Sequence, residues 1–180
     1  MAVIIYSTHF PAKHLYHGEQ TFFVPKIWKS FADESYVLPS SFQKYIDDYT
    51  KMFSGKKPID LMSIYFESEP KYHTIRAGNR WRVGDIFSPR IWTGRPYASK
   101  QFEFAPPITI KKIFDIYINL WQTSPVLILN GKNQDYKTLE LLAKNDGLSE
   151  TDFVEWFKIH PKSKDGFTGQ VICWNENIQY

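Results

Sequence analysis

Glu69-Pro70-Lys71-Tyr72-His73-Thr74-Ile75-Arg76-Ala77-Gly78-Asn79-Arg80-Trp81-Arg82-Val83-Gly84-Asp85 is the stretch on which the reading of this chain turns. It continues through Ile91-Trp92-Thr93-Gly94-Arg95-Pro96-Tyr97 to the strand-like Gln101-Phe102-Glu103-Phe104. From Lys71 to Lys100 there are seven basic residues (Lys71, Arg76, Arg80, Arg82, Arg90, Arg95 and Lys100) and one acid, Asp85. The segment is therefore net +6, which leaves the rest of a +3 chain at net −3. Trp81, Trp92 and Tyr97 lie among the arginines. Guanidinium groups fork onto phosphates and aromatic faces stack on bases, so this is the composition of a nucleic-acid surface. A solvated basic barrel edge with structural tryptophans has the same composition, because a basic cluster is only an electrostatic footprint.

Working outward, Gly84-Asp85 reads as a turn before a strand from Ile86 to Trp92, and Thr93-Gly94-Arg95-Pro96 as a second turn. Gln101 to Phe104 is a short strand, and Pro106-Pro107 interrupts before a long, bent, isoleucine-rich strand from Ile108 to Leu120. Val126 to Leu129 with Asn130-Gly131 reads as a strand and hairpin turn. Asp135 caps a helix that ends at Asn145-Asp146-Gly147, and Ser149 with Asp152 resembles a capping box for the next helix. Phe153, Trp156 and Phe157 are expected to face the core, and Phe167 to Trp174 is a final strand.

Upstream, Ala2 to Tyr6 reads as a short strand and His9 to Gln20 as a polar loop. Thr21 is expected to cap a helix carrying Phe22, Phe23, Ile27 and Phe31, with Pro25 in its first turn. After Pro39, a second helix places Phe42, Tyr45, Ile46, Tyr49, Met52 and Phe53 on one stripe. Ser54-Gly55-Lys56-Lys57-Pro58 is the best break in the chain, and Asp60 to Phe66 reads as a strand or strand–helix junction. The organisation expected is a helical extension, 1–58, packed on a body, 59–180. The class is α+β: a small β-barrel with a helical insert. Ile75, Trp81, Ile86, Ile91, Phe104, Ile110, Ile113, Val171 and Cys173 are the expected barrel core.

At 180 residues, 43% hydrophobic and 17% aromatic, the chain can bury a sizeable core and is too apolar for disorder. Cys173 is the only cysteine, which excludes an internal disulfide and fits a reducing compartment. No apolar run approaches the roughly 20 residues of a membrane span, and Met1 to Tyr6 is too short for a signal peptide. A cytoplasmic protein with no membrane partner is expected. His14 and His17 have helical ligand spacing, but Pro11 and Gly18 oppose a helix and no third ligand is near, so no metal is expected. No cofactor is expected either.

Three segments together resemble the ASCH domain, a member of the PUA-like barrel superfamily. The first is Lys71-Tyr72-His73-Thr74-Ile75-Arg76, then Trp81 and Gly84-Asp85. The second is Leu142-Ala143-Lys144-Asn145-Asp146-Gly147-Leu148-Ser149 with Phe153, similar to that family's helical insert. The third is Phe167 to Trp174, similar to its closing strand. The resemblance covers roughly residues 60 to 180, and the extension would mark a longer subgroup. It implies a cleft that binds RNA or a modified nucleoside. From the basic and aromatic stretch itself, His73, Arg76, Arg80, Trp81 and Arg95 are the expected ligand-binding residues, Arg76 as a fork for phosphate or carboxylate and His73 equally readable as a packed ring. One small branch of the family removes the acetyl group of N4-acetylcytidine. Motif by motif, its catalytic lysine falls on Lys71, its threonine on Thr74 and its glutamate on Asp146.

Amide hydrolysis needs an activated nucleophile, a proton shuttle and an oxyanion stabiliser. Thr74 has the hydroxyl, and a desolvated Lys71 could take its proton. Asp146 could orient the lysine or shuttle a proton. Its side chain is one methylene shorter than the family's glutamate, so a gap to Lys71 is expected, which favours binding over hydrolysis. Residues three apart on a strand also point to opposite faces, so Lys71 and Thr74 share a site only if the segment turns near Pro70. Each residue also has an ordinary reading: an exposed lysine, a strand threonine, a turn-forming aspartate. The two functions carried forward are an RNA or modified-nucleoside binding protein and, as the alternative, an amidohydrolase for N4-acetylcytidine-like nucleosides.

Overall fold

A computed structural model describes residues 1–32, 37–53, 61–121, 125–159 and 165–180. In chain order the elements are β1 (Ala2–Ile5), α1 (Phe23–Lys29), α2 (Gln43–Phe53, entered by a 3-10 turn at Ser40–Phe42) and α3 (Leu61–Glu67). There follow β2 (His73–Ala77), β3 (Ile86–Trp92), β4 (Gln101–Glu103), β5 (Ile108–Thr109), β6 (Lys112–Asn119), β7 (Val126–Leu129) and β8 (Lys132–Asn133). The chain then forms α4 (Tyr136–Asn145), α5 (Glu150–Lys158) and β9 (Phe167–Cys173). The Ser54–Pro58 break, and with it the boundary between extension and body, lies outside the described residues.

The protein is α+β, with two sheets. In the first, β3 pairs with β4 and β5 antiparallel and with β1 parallel. The second runs β2-β9-β6-β7-β8 and is antiparallel throughout. Among the described residues the strands do not close into a barrel, contrary to the expectation. The reason lies between β2 and β3. Gly78 and Gly84, with φ of 83° and 91°, turn the chain out of one sheet and into the other instead of making a hairpin. The isoleucine-rich run crosses between the sheets too. It bends at Ile110 and Lys111, whose amides donate to Asp85 O and Cys173 O at 2.9 and 2.8 Å. This is a strand switching sheets at a corner.

The core lies between the sheets and under the helices. Of the expected core residues, Trp81, Ile91, Phe104, Ile110, Val171 and Cys173 are buried, and Ile75 and Ile113 pack against them partly buried. Ile86 is 50% exposed. It opens β3 beside the Asp85 turn, and strand alternation gives the inward positions to Phe87, Pro89 and Ile91. Trp81, Phe87 and Trp174 stack edge to face across the sheets, with centroid separations of 6.0 and 6.4 Å.

Local chemistry explains most element ends. Asp135 and Ser149 accept the Thr138 and Asp152 amides as N-caps. Asn130 and Gly131, with φ of 47° and 76°, make the tight turn between β7 and β8. Thr21 is not a cap: its hydroxyl donates to Ser7 O at 2.7 Å, and α1 begins after a left-handed Phe22 with no side-chain cap. The 60–66 segment is helical where it is described, in α3. No helix among the described residues is long and apolar enough to cross a membrane.

Candidate functional site

One cavity of about 590 Å³ opens where β1, the start of β2, the end of β3, the C-terminus of α4 and α5 meet. Lys71, Thr74, Arg76 and Asp146 line it. The structure thus brings the three residues expected for catalysis, and one expected to bind ligand, to one place.

Lys71 escapes the strand-alternation objection because it precedes the ladder, which starts at His73. Its amide donates to Lys26 O in α1 at 2.9 Å, and the Tyr72 amide donates to Asn145 O at the end of α4 at 2.8 Å. Pinned between two helices, Lys71 can share a cavity with Thr74 on β2. Its side chain is 1% exposed and passes over the Phe23 ring, with Nζ 4.3 Å from the centroid. Nζ donates to Asp146 Oδ1 at 2.5 Å and to the Asp146 backbone carbonyl at 2.7 Å. The shorter carboxylate leaves no gap.

Asp146 is where it is because α4 ends there. It is the C-cap, and Gly147 follows with a left-handed φ of 69°. Lys26 Nζ donates to Gly147 O at 2.6 Å, so two cations meet the carbonyl end of the helix, where its dipole favours them. Burial pushes the Lys71 pKa down to about 8, against the opposing pull of the Asp146 carboxylate. Burial raises the Asp146 carboxyl, opposed by Lys71, Arg76 and Lys26.

Thr74 is buried on β2, opposite Ile172 of β9, and its hydroxyl has no hydrogen-bond partner among the described residues. Lys71 and Thr74 make no hydrogen bond to each other; the ammonium is held by Asp146. Arg76 donates through Nη2 to Ile5 O at 2.8 Å and lies over the Tyr6 ring at 5.2 Å, so β1 anchors it.

The remaining sequence candidates lie elsewhere. His73 is fully buried behind the cavity wall, with Nδ1 2.5 Å from the Tyr180 hydroxyl and Nε2 3.5 Å from Asp146 Oδ1. Burial and the Lys71 charge hold its pKa well below the usual value of 6.5, so the ring is neutral. Trp81 is a core residue, not a stacking platform: it packs on Phe87, and its amide donates to Gln170 Oε1 at 3.0 Å. Arg80 lies over the Trp81 ring at 4.7 Å and does not line the cavity. Arg95 is exposed and is not itself a lining residue, although its neighbours Gly94 and Pro96 are.

Several wall residues escaped the sequence reading. Tyr6 and Phe10 come from the N-terminal segment, Phe23 from α1, and Trp156 and Phe157 from α5. Trp156 is only partly buried; the side chain expected in the core turns part of its surface to the cavity. At the mouth, Trp92 and Tyr97 stand 5.5 Å apart, and Tyr97 is 92% exposed with a φ of 63°. The Trp92–Tyr97 part of this wall was legible as aromatics beside a turn; nothing in the sequence placed Tyr6 or Phe10 opposite.

The His14 ring stacks on Phe10 at 4.3 Å, and its Nδ1 accepts the Tyr16 amide at 3.1 Å. Among the described residues no group of three or more His, Cys, Asp or Glu could hold a metal ion. No family model, curated protein or solved structure matches the chain.

Proposed function

We propose that this protein hydrolyses the exocyclic amide of an N4-acylated pyrimidine nucleoside bound in the cavity. The observation that carries this reading is the meeting of Lys71, Thr74 and Asp146 at one cavity, with Lys71 held on Asp146 at 2.5 Å. These are the three positions at which the ASCH resemblance implies catalytic residues. In this reading Thr74 Oγ1 attacks the acyl carbon while neutral Lys71 takes the hydroxyl proton. The C–N bond breaks and the amine leaves with that proton. Water then cleaves the acyl-threonine ester, returning Thr74 and the free acid. Asp146 orients Lys71 throughout. A lysine lowered to about 8 supplies some neutral amine at neutral pH, which an exposed lysine does not.

The cavity suits a nucleoside in size and in wall chemistry. Its volume of about 590 Å³ is that of a small-molecule site, and Phe10, Trp92, Tyr97 and Trp156 offer flat faces for a base. In the same reading the two sheets are an opened PUA-like barrel, with α4 and α5 as the helical insert and β1 and α1 as the part of the extension that completes the cavity wall.

Turnover of N4-acetylcytidine to cytidine and acetate tests this. We expect the wild type to deacetylate and Thr74→Ala to lose that activity. Undiminished activity in Thr74→Ala would reject the nucleophile, and an inactive wild type would reject the hydrolase.

A binding-only function is the second reading, favoured by a specific observation. Lys71 is engaged by Asp146 and makes no hydrogen bond to Thr74, while Arg80, Arg82, Arg95 and Lys100 of the +6 segment are exposed. It predicts RNA binding that weakens steeply with salt. Absence of binding to RNA and free nucleosides at low salt would sink it.

A further inference from the structure

Behind the cavity wall, side chains from separate parts of the fold form one polar line. The Asn145 amide nitrogen donates to the Tyr180 hydroxyl oxygen at 3.2 Å. That oxygen lies 2.5 Å from His73 Nδ1. His73 Nε2 lies 3.5 Å from Asp146 Oδ1, the oxygen that Lys71 Nζ contacts at 2.5 Å. His73 is completely buried, and its Nε2 has no hydrogen-bond partner among the described residues. The Tyr180 ring is held edge-on by His73 and by Phe114, with centroids at 5.8 and 5.2 Å.

Donors and acceptors along this line admit one consistent assignment. The Tyr180 oxygen accepts from Asn145, so its own proton is directed at the remaining neighbour, His73 Nδ1. Burial raises the Tyr180 pKa, so the hydroxyl keeps that proton to donate. A neutral imidazole that accepts at Nδ1 carries its hydrogen on Nε2. The reverse tautomer would aim the Nε2 lone pair at a carboxylate oxygen 3.5 Å away, negative against negative in a site of low polarity. It would also leave the tyrosine proton without an acceptor.

We infer that Tyr180 and Asn145 hold His73 in its Nε2–H tautomer, and that this N–H faces the Asp146 carboxylate and steadies it against Lys71. At 3.5 Å the contact is not a full hydrogen bond, and an N–H at Nε2 would act on the carboxylate as a nearby dipole. A buried carboxylate that already binds an ammonium on one side thus gains a favourable dipole on the other. Its effect on turnover rests on the hydrolase reading; the tautomer itself does not. Tyr180, His73 and Asn145 are positioning residues, because none of them lines the cavity.

The tautomer can be read directly. Long-range ¹H–¹⁵N spectra of histidine-labelled protein near neutral pH are expected to show His73 protonated on Nε2 and bare on Nδ1, assigned by loss of its signals in His73→Gln. In Tyr180→Phe the two nitrogen shifts should move towards each other. Asn145→Ala, a second variant should the first not fold, should weaken the same preference. A wild-type His73 carrying its proton on Nδ1, or an unchanged pattern in Tyr180→Phe, overturns the inference. On N4-acetylcytidine, Tyr180→Phe should lower kcat about 10-fold with KM little changed, the signature of a displaced catalytic group. An inactive wild type with the expected tautomer would fail the hydrolase reading and leave this inference standing.

Discussion

Lys71 Nζ rests 2.5 Å from Asp146 Oδ1 across 75 positions of sequence, with both side chains withdrawn from solvent. Taking two charges out of water is costly, and the pair's mutual attraction offsets that only when the geometry is good. Here the ammonium also takes the carbonyl at the end of α4, at 2.7 Å. The pair therefore ties the first residue of the motif to the end of a helix remote in sequence.

Removing one partner should cost far more than removing an exposed ion pair. Asp146→Ala leaves the Lys71 charge buried and is expected to destabilise the fold by on the order of 3–5 kcal/mol in urea denaturation. Asp146→Glu should lower any deacetylase turnover, because an extra methylene enters a contact that has no slack. A gain in turnover with Glu would mean that the carboxylate acts on substrate and not on Lys71.

Stability should depend on pH through Lys71. Its folded pKa of about 8 lies below the ordinary value of 10.5. Below the folded value both states hold the proton and the cost of burying the charge is fully present. Between the two values the unfolded chain binds more protons, so the Lys71 contribution to stability rises with pH. Two sets of raised acids act in the opposite sense: Cys173, pushed from 9.0 up to about 12, from pH 9 upwards, and the buried tyrosines Tyr6, Tyr49 and Tyr180 above 10.0. Urea midpoints compared on either side of pH 8 should climb in the wild type relative to Lys71→Met. Parallel curves would place the Lys71 titration elsewhere.

The same titration sets an activity limb. If neutral Lys71 is the base, kcat/KM for N4-acetylcytidine should rise with pH and level off above about 8. A flat profile from neutral to alkaline pH would exclude Lys71 as the base.

Gly147 is a point where sequence and site are coupled. A Cβ there would lie 3.1 Å from Lys71 Cβ and 3.2 Å from Lys26 Cδ, on a backbone at φ 69°. Gly147→Ala should destabilise the protein by about 1–2 kcal/mol through strain alone, measured by thermal or urea unfolding. It should also reduce any deacetylase turnover, since Lys71 is one of the two side chains the new methyl group crowds.

At the mouth, ligand binding and stability should separate. Tyr97 is exposed and holds a left-handed backbone that glycine adopts freely. Tyr97→Gly should leave stability unchanged or slightly raised, yet weaken nucleoside binding by about 1–3 kcal/mol if the ring stacks on the base. Equal affinities in a calorimetric titration would remove Tyr97 from the site.

Much of this protein was determined by sequence alone, because those features are local. Asp135 and Ser149 cap helices and Asn130-Gly131 turns a hairpin, all through contacts within a few residues. The motif from Lys71 to Arg76, with Asp146 beside a helix-ending glycine, was also legible as a set of residue types. Tertiary structure decided what those residues do. Lys71 shares a cavity with Thr74 because α1 and α4 take its flanking backbone groups before the strand begins, a constraint with no sequence signature. Trp81 sits in the core because it lies between the turns at Gly78 and Gly84 that carry the chain from one sheet to the other, and Tyr6 sits on the cavity wall because β1 pairs with β3. The depressed lysine and the neutral histidine likewise arise from burial by distant elements, which only the packed chain can supply.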